Sequence, residues 1–174
     1  MEIFADILLA TAPAGIVLYG SYLLVKTFIE KEQATAIGRI QMKNNEVTMP
    51  LRLQAYERMA LFLERITPNQ LVSRINNTEL NVGALHYLML EAIREEYNHN
   101  IAQQIYISDE VWEVVTGSKE EVISMLNQVV DPLDKEAPSI EYARAIYQHV
   151  LQEQHDYTSP ALKALKVEAR KLMP

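Results

Sequence analysis

The chain has no cysteine in its 174 residues. That excludes a disulfide framework, a thiolate zinc site, an iron–sulfur cluster and a cysteine nucleophile, and it suits a reducing compartment. Glycine (5) and proline (7) are scarce, which argues against a turn-rich all-β fold and against a disordered composition. No glycine-rich phosphate loop, Gly-x-Ser-x-Gly or His-Glu-x-x-His stands anywhere in the sequence, so the common signatures of nucleotide binding, serine hydrolysis and zinc proteolysis are missing. Neither an alternating strand pattern of any length nor an internal repeat is present.

Positive charge is also in short supply. The formal net charge is -7, and it is unevenly spread. Residues 26–75 carry 8 Lys/Arg against 5 Asp/Glu, whereas residues 76–174 carry 8 against 16. An acidic body of that kind repels a phosphate backbone, so nucleic acid is not an expected partner.

One long stretch lacks charge altogether. ILLATAPAGIVLYGSYLLV, residues 7–25, lies between Asp6 and Lys26. As a helix it measures roughly 28 Å, close to the hydrocarbon thickness of a bilayer. Tyr19 and Tyr22 suit one interface. The expectation is a single-pass span contacting lipid through residues 7–25. A signal peptide fits less well, because the start MEIFAD is acidic. Lys26, Lys31, Arg39 and Lys43 come after the run. The positive-inside bias then predicts an N-terminus outside and a cytoplasmic C-terminal domain. Ala10, Ala14, Val17 and Ser21 form a stripe of mostly small residues, a candidate self-association contact.

The remainder of the chain reads as helices. The predicted fold class is all-α: an N-terminal transmembrane helix (1–28), a charged juxtamembrane stalk (29–49) and a compact multi-helix domain (50–174). The stalk is expected to end near Asn44-Asn45, with a break at EVTMP and Pro50 in the first turn of the next helix. In LRLQAYERMALFLERI, Ala55, Tyr56, Met59, Phe62, Leu63 and Ile66 share one face at helical spacing. Thr67-Pro68 opens a short helix, and Thr78 is a candidate cap for a long one running to about Ile107. Ser108 starts another, which Gly117 is expected to stop; Ser118 with Glu121 then forms a capping box. Residues 131–138 read as a loop, Ser139 opens a helix to about Gln154, and Ser159-Pro160 opens the last. That final helix is basic and amphipathic, suited to an anionic bilayer or to docking onto the acidic body.

The chemically suggestive stretch is EEYNHNIAQQIY, residues 95–106. On a helical wheel His86, Asn100 and Gln104 fall within an apolar face, Glu96 and Gln103 border it, and His99 points away. Glu96-x-x-His99 matches half of a di-iron carboxylate motif, but a full site needs the motif twice plus two further glutamates. The nearest second candidate, Gln152 to His155, offers an amide instead of a carboxylate. Glu96, His99, His149 and His155 are therefore the metal-ligand candidates. The preferred reading of His86, Glu96, Asn100, Gln103 and Gln104 is a structural polar seam that selects one helix register, with Arg52 or Arg58 as partners. No catalytic residue, cofactor or cofactor-binding residue is expected.

PLRLQAYERMALFLERITP (50–68) and HNIAQQIYISDEVW (99–112) resemble an uncharacterised family of small Bacteroidota proteins with an N-terminal span, a stalk and a helical domain. The likeness covers residues 1 to about 135. It implies a membrane-anchored bacterial protein, placed at the inner (cytoplasmic) membrane by the expected orientation, and it carries no established activity, cofactor or catalytic residue. The functional expectation is a protein-interaction, scaffold or adaptor module, acting on a protein partner or by self-association. The alternative is a carboxylate/histidine metal-dependent enzyme or metal-binding helical protein; a signal-peptide-released periplasmic protein is a third.

Overall fold

The computed structural model describes residues 2–172; in the first helix the side chains of residues 2–14, 16, 33–42, 44 and 45 lie outside the described residues. The order is α1 (Glu2–Arg65), α2 (Pro68–Ile75), α3 (Val82–Asn100), a 3₁₀ helix (Ile101–Tyr106), α4 (Asp109–Val130), α5 (Ser139–Glu153) and α6 (Ser159–Arg170). No strand occurs among the described residues, only an isolated bridge between Asn81 and Pro138. The all-α expectation holds. The chain divides into two units, Met1–Thr48 and Met49–Pro174.

The expected membrane span is overturned. Among the described residues no helix is long and apolar enough to cross a membrane, which goes against a single-pass inner-membrane protein with its N-terminus outside and its C-terminal domain cytoplasmic. Among the described side chains the uncharged stretch is short, from Val17 to Val25, too few residues to cross the hydrocarbon core of a bilayer. Gly15, Tyr19, Gly20, Ser21 and Tyr22 dilute the run, and Lys26, Glu30, Lys31 and Glu32 stand close behind it. Of the run itself, the side chains of residues 7–14 and 16 lie outside the described residues, as do Ala10 and Ala14 of the small-residue stripe.

Two expected breaks are absent. Helix α1 runs through Pro50, although proline removes one backbone donor and crowds the preceding turn; residues on either side keep helical geometry, so the cost stays local. Helix α4 runs through Gly117. Its buried face, Val115, Ser118, Val122, Met125 and Val129, continues at a spacing of three and four across that glycine, and burial of the face outweighs the weak local stop. Ser118 is buried within α4 instead of capping a new helix. A Cβ on Gly117 would meet nothing within 4 Å. Gly117→Ala is therefore expected to stabilise the protein by about 0.5–1 kcal/mol in urea unfolding, and a destabilised variant would contradict a continuous α4.

Within the second unit the end of α1 supplies the predicted stripe: Ala55, Tyr56, Met59, Phe62, Leu63 and Ile66 are all buried. Helix α4 lies against α6, α3 against α5, and α2 against both α3 and α5. The basic helix α6 docks on the body, with Ala161, Leu165 and Ala169 buried. Its apolar face is thus covered by the protein's own core.

Local caps set the remaining boundaries. The long helix starts later than Thr78 suggests: the Asn81 side chain accepts from Ala84 N at 2.8 Å, capping α3. Residues 77–83 are laced to the 134–139 loop. Val82 N donates to Ala137 O (2.9 Å), Gly83 N to Lys135 O (3.0 Å) and Ser139 N to Leu80 O (3.0 Å), while Ser139 Oγ donates to Asn77 O at 2.8 Å. This lacing fixes the start of α5 beside the end of α2, and so shapes the groove between them.

Candidate functional site

The seam residues do not assemble into one chain of contacts. Asn100 Nδ2 donates to the backbone oxygen of Glu96 at 2.8 Å, the one side-chain bond between seam members among the described residues. At Ile101 the helix tightens into 3₁₀ geometry, so side chains advance by about 120° per residue instead of 100°. Gln104 consequently emerges exposed and Gln103 half-buried. His86 stands apart: its Nδ1 is 3.0 Å from Tyr142 Oη, and Tyr142 Oη itself donates to Leu126 O at 2.9 Å. With the phenol proton committed to that carbonyl, Nδ1 of His86 carries the hydrogen toward Tyr142. Burial, assisted by the nearby Lys135 charge, lowers the His86 pKa despite an opposing bond with Asn127.

Glu96 has two cationic partners, and neither is Arg52 or Arg58. Arg65 Nε lies 2.6 Å from Glu96 Oε1 and Arg74 Nη1 donates to the same oxygen at 3.3 Å. One carboxylate on α3 thus ties the end of α1 to α2. His99 is exposed. His149 Nε2 is 3.2 Å from Tyr157 Oη, and His155 Nε2 is 3.4 Å from Glu121 Oε2. Burial first, then the charges of Glu153 and Glu121, raise the Tyr157 pKa. Among the described residues no group of three or more His, Asp or Glu is placed to hold a metal ion.

Sequence reasoning missed a more tightly bonded node, centred on Glu168. Tyr56 Oη donates to its Oε1 at 2.7 Å. Ser108 donates twice, from N to Oε1 at 3.1 Å and from Oγ to Oε2 at 2.6 Å. Arg52 stands 3.6 Å away, donating to Tyr56 Oη at 3.0 Å and to Tyr106 O at 3.2 Å. Burial opposes ionisation of Glu168, but the bonds from Ser108 and Tyr56 and the Arg52 charge outweigh it and hold the carboxyl below its ordinary value. The partners lie 112 and 60 residues away in sequence, so no local pattern marks them.

Two grooves mark the surface of the second unit, one of them at the Glu168 node. The wider, about 740 Å³, runs between the start of α4 and α6. Two of its polar groups, Ser108 and Glu168, are already bonded to each other, and its apolar lining is mostly short: Val111, Pro160, Ala164 and Val167.

The narrower groove, about 360 Å³, lies between α2 and α5. Ile140, Tyr147 and Leu151 line it while remaining 51%, 40% and 75% exposed, spaced seven and four residues apart along α5. Val72 and Ala143 form the floor. Arg144 lies among them, the one charged side chain of the lining. At the end of α2, Asn76 Oδ1 is buried and lacks a hydrogen-bond partner among the described residues. An orphaned acceptor costs about 1–3 kcal/mol unless something donates to it. No sequence signal singles out this groove, because Ile140, Tyr147 and Leu151 look like ordinary core positions of an amphipathic helix.

No curated protein and no solved structure matches the chain. The profile of a family of unknown function, DUF7935, matches residues 2–172. That span includes α6, beyond the point near residue 135 where the resemblance seen in the sequence ends. The chain belongs to the DUF7935 family of unknown function.

Proposed function

We propose that this protein is an interaction module, a scaffold or adaptor, whose helical body receives an acidic amphipathic helix of a partner protein in the groove between α2 and α5. The observation that carries the reading is the exposed line Ile140, Tyr147 and Leu151 around a lone Arg144. A helix laid in a groove uses apolar anchors at such spacings. A carboxylate on the partner suits Arg144, and a side-chain donor suits the buried Asn76 Oδ1. The basic groove residue within an acidic body supplies register more than affinity.

The test is a mild crosslinking pull-down with tagged full-length protein, in parallel with Leu151→Glu and Arg144→Glu. Both positions are exposed, so the fold is expected to survive. One near-stoichiometric partner is expected, crosslinked to α5 through an acidic amphipathic segment, with recovery reduced about tenfold by either substitution, equivalent to about 1.4 kcal/mol. Recovery unaffected by both substitutions would sink the reading.

A further inference from the structure

The first unit carries a separate feature that the groove does not involve. Between residues 17 and 29 of α1, nine large apolar side chains are exposed, from 42% at Leu23 to 73% at Leu24. Charge is confined to the C-terminal end of this stretch, where Lys26, Glu30, Lys31 and Glu32 cancel one another. A single helix presenting that much apolar surface to water is a covered surface lacking its cover.

The pattern names the cover. Leu18, Tyr22, Val25 and Ile29 recur at spacings of four, three and four, the period of a left-handed helix–helix seam. They fall within about 60° on a helical wheel, with Leu24 and Phe28 as a shoulder on one side. The seam reads the same in both directions, so it complements itself. At roughly 100 Å² per side chain the four seam residues with Leu24 and Phe28 offer on the order of 600 Å² per copy, the lower end of the ~600–1,000 Å² that each partner contributes to a specific interface. Because the local charges cancel, two copies do not repel across it. We infer that residues 17–29 of α1 form a self-association element in which the occupant of the Leu18–Tyr22–Val25–Ile29 seam is the same seam of a second copy of this chain.

The absence of native cysteine makes the test direct. Full-length Leu18→Cys, Val25→Cys, Ile29→Cys and Thr27→Cys variants are oxidised under mild conditions, and covalent dimer is quantified. A disulfide requires Cα atoms within about 7 Å. Thr27 lies about 160° from Val25 on the wheel. Dimer at Val25→Cys at least fivefold above Thr27→Cys is the expected result. Comparable dimer at Leu18→Cys and Ile29→Cys indicates parallel copies; dimer strongest at Val25→Cys indicates antiparallel ones. Equal crosslinking at all four positions, or none, overturns the inference. Sedimentation of a Val25→Glu/Ile29→Glu variant gives a second readout: a shift to monomer mass with an unaltered unfolding curve for the body is expected, and an unaltered mass overturns the proposal.

Discussion

Truncating Tyr142 to alanine is expected to lower the unfolding free energy by about 4 kcal/mol in urea titration. Tyr142 is the largest of the fully buried side chains, so the variant leaves a cavity where α5 meets its neighbours. It also removes the donor to Leu126 O and the acceptor facing His86 Nδ1. Tyr142→Phe separates the two effects: it keeps the ring, and its cost is expected near 1–2 kcal/mol, the penalty for leaving those groups unpaired. A phenylalanine variant as damaged as the alanine one would show that the hydroxyl, not the ring volume, holds α5 in place. The half-buried His86 adds a pH dependence. Its folded pKa is lowered, so the unfolded chain binds the proton more tightly, and stability is full above the ordinary value of 6.5 and falls below it.

Glu168→Ala is expected to cost about 3 kcal/mol and to lower the melting temperature by roughly 10 °C. The substitution strips the acceptor from Tyr56 Oη and from both donors of Ser108, and leaves the Arg52 charge uncompensated. Acid should erase much of the difference. The folded carboxyl titrates below its ordinary value of 4.5, so its contribution is complete above that pH and disappears as pH falls through the lowered folded value. The check is wild type against variant by thermal denaturation at pH 7 and at pH 3. A gap that stays the same at both would mean that packing by the side-chain stem, and not the ionised bonds, accounts for the loss.

Elements whose signals are local were legible from sequence. Helices open at Thr67-Pro68, Ser108, Ser139 and Ser159-Pro160 as expected; Pro68 and Pro160 sit in the first turn, while only Ser108 of these caps its helix with a side-chain bond. The stripe from Ala55 to Ile66 was legible because helical periodicity reports a buried face directly. The same local signals misled at Gly117, whose weak stop burial of a whole α4 face exceeds, and at Pro50, through which α1 continues although the proline removes a backbone donor. The Asn100–Ile101 switch to 3₁₀ geometry carries no residue marker, and it displaces Gln103 and Gln104 from the positions a regular α-helical wheel assigns them. Glu168 was hidden among the lysines of a basic amphipathic helix, since its role depends on partners brought from far along the chain. Glu96 was singled out, yet its arginines were not, for a similar reason: Arg74 sits on a separate short helix, α2, whose placement only the fold decides.

The Glu168 node has a consequence for the order of events during synthesis. Tyr56 and Arg52 leave the ribosome long before Glu168, and Ser108 emerges between them. Until Glu168 is made and clears the exit tunnel, the nascent chain holds α4's apolar face without α6 to close over it, and Tyr56 and Ser108 without the carboxylate that joins them. Contacts of such long range delay folding and leave apolar surface open to chaperones or to neighbouring chains on the same polysome. Helix α6, translated after the elements it covers, is thus the clasp of the body, and the speed with which translation reaches it sets how long the unfinished protein stays exposed.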